Sequence, residues 1–86
     1  MAYEIHVLKP ARRAINRLPG SIKQRVGKAI EFLADNPRPA GCVKLKGVDD
    51  LWRIRVGSYR VVYTIDDMKL IVLVVKLGDR KDIYRG

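Results

Sequence analysis

Polar and apolar positions in this chain follow two different periods, helical before about residue 36 and extended after it, with one extended stretch in front. Residues 2–8, AYEIHVL, alternate strictly enough to predict a first strand, with Tyr3, Ile5 and Val7 on one side and Glu4 and His6 on the other. From Pro10 the spacing turns helical. Ala11, Ala14, Ile15 and Leu18 recur at i, i+3, i+4 and i+7 behind a proline that a first helical turn accommodates, and the run stops at Pro19-Gly20. Ser21 supplies an N-cap for a second helix reaching about Asn36, striped by Ile22, Val26, Ala29, Ile30 and Leu33. Helices this short are marginal in water, so the two must form an antiparallel hairpin lying on an apolar surface.

Asn36-Pro37-Arg38-Pro39 stops the second helix, because each proline disfavours helical geometry in the residue before it. Period two then returns. Cys42 to Lys46 predicts a short strand with Lys44 and Lys46 on one side, followed by a turn through Gly47 and Asp49-Asp50. Leu51 to Asp66 reads as a hairpin: Trp52, Ile54 and Val56 alternate with Arg53 and Arg55, and Gly57-Ser58 reverses the chain. Tyr59-Arg60 then open a β-branched and aromatic return strand. After Asp66-Asp67, the nearly continuous apolar run Leu70 to Leu77 predicts a central strand covered on both faces or nearly so. Gly78-Asp79-Arg80 reads as a loop and Asp82 to Arg85 as a final short strand or tail. The order is β-α-α-β-β-β(-β), an α+β fold in which an antiparallel twisted sheet is packed on one face by the N-terminal helix hairpin. Its other face is expected to be open and to carry Arg53, Arg55 and Arg60.

Size and composition narrow this further. Residues 1–86 are enough for one domain with a single core, and 48% hydrophobic residues make that domain globular. No run approaches the ~18 apolar residues of a membrane span, and the charged start of the chain lacks a signal-peptide core, so the expected location is the cytoplasm. A lone Cys42 excludes an internal disulfide and a cysteine-cluster metal site. Eighteen Lys and Arg against nine Asp and Glu leave +9, which points to a polyanionic partner, with nucleic acid ahead of acidic protein or anionic lipid. Arg12, Arg13, Arg17, Lys23, Arg25 and Lys28 decorate the outer helix faces, either as a solvated surface or as a secondary grip on such a partner.

Arginine suits phosphate because its planar fork offers paired donors and stays charged. Arg53, Arg55, Arg60 and Arg80, with the phenol of Tyr84, are the groups that can gather on the open face. Like charges so gathered repel one another and cost stability until an anion arrives. His6, the one histidine, reads as a surface residue of the first strand.

Leu45-Lys46-Gly47, the segment LWRIRVGSYRVVY, the strand after it and the ending Gly78-Asp79-Arg80 with Ile83-Tyr84 resemble the RelE/ParE toxin superfamily, and its RelE branch in particular. The likeness runs over nearly the whole chain. It implies the toxin of a type II toxin–antitoxin pair, a ribosome-dependent mRNA interferase that cuts the A-site codon without metal or cofactor. The implied step is attack of a ribose 2′-hydroxyl on the adjacent phosphate, and the implied partners are the ribosome, mRNA and a RelB-like antitoxin. By the same resemblance Arg60 and Arg80 contact phosphate, and Tyr84 is a catalytic or base-stacking residue. Lys44 and Lys46 are expected to join Arg53, Arg60 and Arg80 in binding RNA. Arg53 and Arg55 stand where well-known members have lysines. A guanidinium is a poor proton acceptor, so both are expected to stabilise transition-state charge, leaving Tyr84 and Asp79 as candidate bases. Two other readings share the residues: a ParE-like inhibitor of DNA gyrase, and a non-enzymatic basic RNA-binding module.

Overall fold

Strong β-formers in the second half of the chain build the sheet, and the two amphipathic helices close one side of it. The computed structural model describes residues 2–45 and 51–79, as β1 (Glu4–Val7), α1 (Lys9–Asn16), α2 (Gly20–Phe32), β2 (Val43–Lys44), β3 (Leu51–Val56), β4 (Tyr59–Asp66) and β5 (Ile71–Asp79). The expected turn at residues 47–50 and the expected ending at residues 80–86 lie outside the described residues. The strands line up as β1-β5-β4-β3-β2. Pairing is antiparallel from β2 to β5, as expected, whereas β1 joins β5 in parallel. No short turn links those two strands, so nothing forces the antiparallel sense that a hairpin imposes.

One core sits between the helices and the sheet. Ala11, Val26, Ile30 and Leu33 descend from the helical side onto Ile54, Val56, Val61, Tyr63, Val72, Val74 and Leu77. Leu33, Val26, Val61, Val72 and Val74 are wholly excluded from water, each such side chain contributing roughly 1.5–3 kcal/mol by burial. The hairpin of β3 and β4 spans the expected residues, and its reversal uses Gly57 at φ 61°, a left-handed conformation that favours glycine. A Cβ there would also meet Ile22 Cδ1 at 3.4 Å, so the turn presses against α2.

Three details depart from the expected elements. Pro19, in extended geometry, occupies the N-cap of α2, so Ser21 lies inside the helix and caps nothing. Proline fits because the first amides of a helix need no intrahelical partner. α2 ends at Phe32, yet coiling continues to Asn36 through tighter bonds, with Leu33 N donating to Ile30 O at 3.0 Å and Ala34 N to Glu31 O at 3.0 Å. Lastly, β5 is covered unequally, with Val72, Val74 and Leu77 buried on one face and Leu73 half-buried and Lys76 exposed on the other, and it runs on to Asp79, because Tyr59 and Arg60 offer it a pairing edge at Asp79 and Gly78.

That unequal coverage has a structural cause. Tyr63 pairs with Val74 while its neighbour Val62 pairs with Lys76, leaving Val75 as the extra residue of a β-bulge. The bulge breaks alternation, so Val74 and Leu77, three positions apart, both reach the core. The apolar run is a strand with a phase change, better covered on the side of the helices.

The far end of the sheet is clamped by the segment after α2. Tyr63 Oη, buried, donates to the Pro37 carbonyl at 2.7 Å. Arg38 donates to Asp67 at 2.8 and 3.3 Å, Tyr3 Oη donates to the same carboxylate at 2.6 Å, and the Arg38 guanidinium lies 5.1 Å from the Trp52 ring centre.

Candidate nucleic-acid interface

Cross-strand pairing decides which side chains share a face, since partners directly opposite project the same way. Arg55 pairs with Arg60, placing two guanidinium-bearing Cβ atoms about 4.5–5.5 Å apart. Arg53 pairs with Val62, two residues along, and therefore points to the same side. Ile54 and Val56, between and beside them, are buried in the core, so this side is the one away from the helices. The three arginines expected on one face are brought together there.

Their exposure differs from expectation at one position. Arg55 is exposed and Arg53 half-buried, but Arg60 is only 2% exposed. Val62, its neighbour on the same side of β4, is buried too, at 5% exposed. Arg60 thus forms the floor of the face rather than part of its open surface. A charge in that position acts through a less screened medium than one in water.

A fourth cation joins them. Lys76 is exposed and pairs with Val62, whose other partner is Arg53, so Arg53, Val62 and Lys76 form one row across three strands. The sequence held only a weak signal for this, a lone charge inside LIVLVVKL. Strict alternation from Val72 and Val74 would have sent residue 76 into the core, and only the bulge reverses it.

Other expected members are separated from this group. Lys44 pairs with Trp52, which packs on the core, so alternation turns Lys44 to the opposite side, where its Nζ lies 6.0 Å from the Trp52 ring centre. Asp79 pairs with Tyr59 rather than with Arg60, and its register position is likewise on the helix-bearing side. Lys46, Arg80 and Tyr84 lie outside the described residues. His6 does share the arginine-bearing face, in a row with Leu73 and Thr64, its Nε2 2.7 Å from Glu4 Oε1. Three strand spacings separate β1 from β3, about 14 Å, which removes His6 from the chemistry at Arg53.

β2 pairs with β3 at Trp52 and Arg53 alone, so among the described residues nothing pairs with the outer edge of β3 beyond Arg53. A groove of about 460 Å³ runs there, between that edge and Ala29, Phe32 and Pro39. The outer helix cations, Arg12, Arg13, Arg17, Lys23, Arg25 and Lys28, are all exposed on the other side of the molecule.

The arginine face can hold a phosphate by several forked donors and stabilise charge that develops on it. It cannot accept a proton through those same groups.

Comparison with known proteins gives the family. Residues 5–84 match the family described as the ParE toxin of the type II toxin–antitoxin system parDE. A putative RelE-like toxin protein of Escherichia coli is 32% identical over 88 residues, covering 98% of this chain and 92% of that one. The mRNA interferase toxin RelE of Escherichia coli K12 is 28% identical with the same coverage. Among solved structures, the archaeal RelE–RelB complex from Pyrococcus horikoshii aligns with a TM-score of 0.83 at 29% identity, over 93% of this chain and 97% of its counterpart. The intact Escherichia coli RelBE toxin–antitoxin complex aligns at 0.79 and 28%, over 91% and 96%.

Proposed function

The chain belongs to the RelE/ParE toxin superfamily as a RelE-type toxin of a toxin–antitoxin system, and from that premise we propose that it is a ribosome-dependent endoribonuclease cutting mRNA in the A site. The observation that carries the reading is the gathering of Arg53, Arg55 and Lys76 on one face of the sheet, a concentration of cations for which a phosphodiester is the natural counter-charge. Pairing of β3 with β4 fixes the register of Arg53, Arg55 and Arg60 on one face, so the donors are positioned before substrate arrives.

The reaction that fits is metal-free transesterification. The ribose 2′-oxygen bonds to the adjacent phosphorus, the bond to the 5′-oxygen breaks, and the products end in a cyclic phosphate and a 5′-hydroxyl. Arg53 and Arg55 stabilise the charge that builds on the phosphorane, and Arg60 reinforces them from beneath. The family resemblance adds Arg80 as a further phosphate contact and Tyr84 as a base-stacking or catalytic phenol. The ribosome supplies what so small a protein lacks, a fixed and bent mRNA. Since solved relatives are complexes of RelE with RelB, a RelB-like antitoxin is the proposed neutralising partner.

The test is incubation of the purified chain with mRNA, free and on ribosomes programmed with a defined codon, followed by mapping of 5′ ends. Cuts within the A-site codon that bear 5′-hydroxyls and need ribosomes are expected. Intact programmed mRNA would overturn the reading. Because the matched family is described as ParE, a DNA gyrase supercoiling assay belongs beside it: inhibition there with translation untouched would identify a gyrase poison instead.

A further inference from the structure

Transfer of phosphate from a 5′-oxygen to a 2′-oxygen needs a proton delivered to the departing 5′-oxygen, because an alkoxide is a poor leaving group. Of the four cations that the described residues place on the arginine face, three are guanidinium groups, which hold their protons too tightly to give them up. The fourth is an ammonium. We infer that Lys76, set on this face by the bulge at Val75, is the proton donor to the leaving oxygen. The inference rests on the nuclease reading above and assigns it a residue that the sequence pattern had placed in an apolar strand.

Two observations converge on Lys76. The first is the bulge, a device found beside active sites because it re-aims a side chain. Here one unpaired residue moves Lys76 from the core phase to the arginine phase while leaving Val74 and Leu77 buried on either side. The second is position. Lys76 and Arg53 flank Val62 on consecutive strands, with Cα atoms about 10 Å apart. Two long side chains reaching inward across the short Val62 can touch opposite sides of one phosphodiester: the guanidinium its non-bridging oxygens, the ammonium its 5′-oxygen.

The step balances as follows. The 2′-oxygen to phosphorus bond forms as the hydroxyl proton passes to water, the phosphorus to 5′-oxygen bond breaks, and Lys76 Nζ donates one proton to the 5′-oxygen. Water then returns a proton to the neutral amine, so the enzyme ends as it began.

The experiment compares wild-type, Lys76→Ala and Lys76→Arg proteins in single-turnover cleavage of ribosome-bound mRNA. The substrate carries either the natural 5′-oxygen or a bridging 5′-sulfur at the cut. Thiolate leaves without protonation. With the oxygen substrate both variants are expected to be slower by about 10²-fold or more, as for loss of a general acid. With the sulfur substrate Lys76→Arg is expected to match wild type. Lys76 is exposed, so thermal melting should be unchanged in both variants and exclude a folding defect. Full activity of Lys76→Arg on the oxygen substrate would reduce Lys76 to a phosphate contact and overturn the inference, as would an unimpaired Lys76→Ala. Equal losses on both substrates would overturn it too. Wild-type protein inert on programmed ribosomes would instead defeat the nuclease reading itself.

Discussion

Two cationic clusters sit on the same small sheet and are built in opposite ways. At the end of the sheet beside the α2–β2 segment, Arg38 is matched: a carboxylate takes both its donors, Tyr3 shares that carboxylate, and Trp52 lies beneath the guanidinium. On the face away from the helices, Arg53, Arg55 and Lys76 gather near Arg60, and among the described residues no carboxylate pairs with those first three. Matching is what a protein does with charge that holds structure. An unmatched cluster raises the free energy of the folded state and is kept where a ligand relieves it. The first cluster ties a loop to the sheet, and the second is the one we propose meets RNA.

Substitutions should separate the two clusters. The largest effect is expected from Arg55→Ala, which removes a donor from the developing phosphorane: cleavage on ribosomes should fall by about 10²–10³-fold, roughly 2.7–4 kcal/mol. Its melting temperature should stay constant, because Arg55 is exposed, and calorimetry beside the cleavage assay checks both. Tyr63→Phe should do the reverse, lowering stability in urea titration by about 1–3 kcal/mol because the Pro37 carbonyl loses its buried partner, with cleavage by the folded fraction unchanged.

Arg38→Ala is expected to cost less, within about 1 kcal/mol, since the pair with Asp67 is partly solvated. A fall in its cleavage rate would show that the clamp also shapes the RNA site. The smallest effect is one of pH. Hydrogen bonds from Arg38 first, then Tyr3, hold the Asp67 carboxyl below its usual range, so the folded state prefers the carboxylate. Its contribution is complete above the unfolded value, near ~4, and is lost as pH falls through the folded one. Asp67→Asn should therefore flatten the acid limb of the melting temperature against pH, a change read by differential scanning fluorimetry.

Much of this was legible in the residues. Alternation of Trp52, Ile54 and Val56 against Arg53 and Arg55 located the hairpin and its two faces, because a strand repeats every two residues whatever surrounds it. The helices were legible as stripes, though not their caps, which depend on backbone geometry at Pro19 and Leu33 that many sequences allow. Three features were hidden. A bulge leaves no composition of its own, so Val75 concealed the outward turn of Lys76. Burial of Arg60 depends on what the fold brings around it, a long-range property absent from local pattern. Lys44 looked like one more cation for the RNA, and only its register against Trp52 sends it to the other side.

If the unmatched cluster is the RNA site, added salt should weaken binding to programmed ribosomes in proportion to the number of phosphates it neutralises, and each cation removed should lower that slope by roughly one. The most direct measurement is single-turnover cleavage of ribosome-bound mRNA by two double variants of comparable stability, Arg53→Ala with Arg55→Ala, and Arg38→Ala with Lys44→Ala. The account predicts that the first pair abolishes cleavage at the A-site codon while remaining folded, and that the second pair cuts at the wild-type rate. Wild-type cleavage by the first pair, or its loss in the second alone, would contradict it.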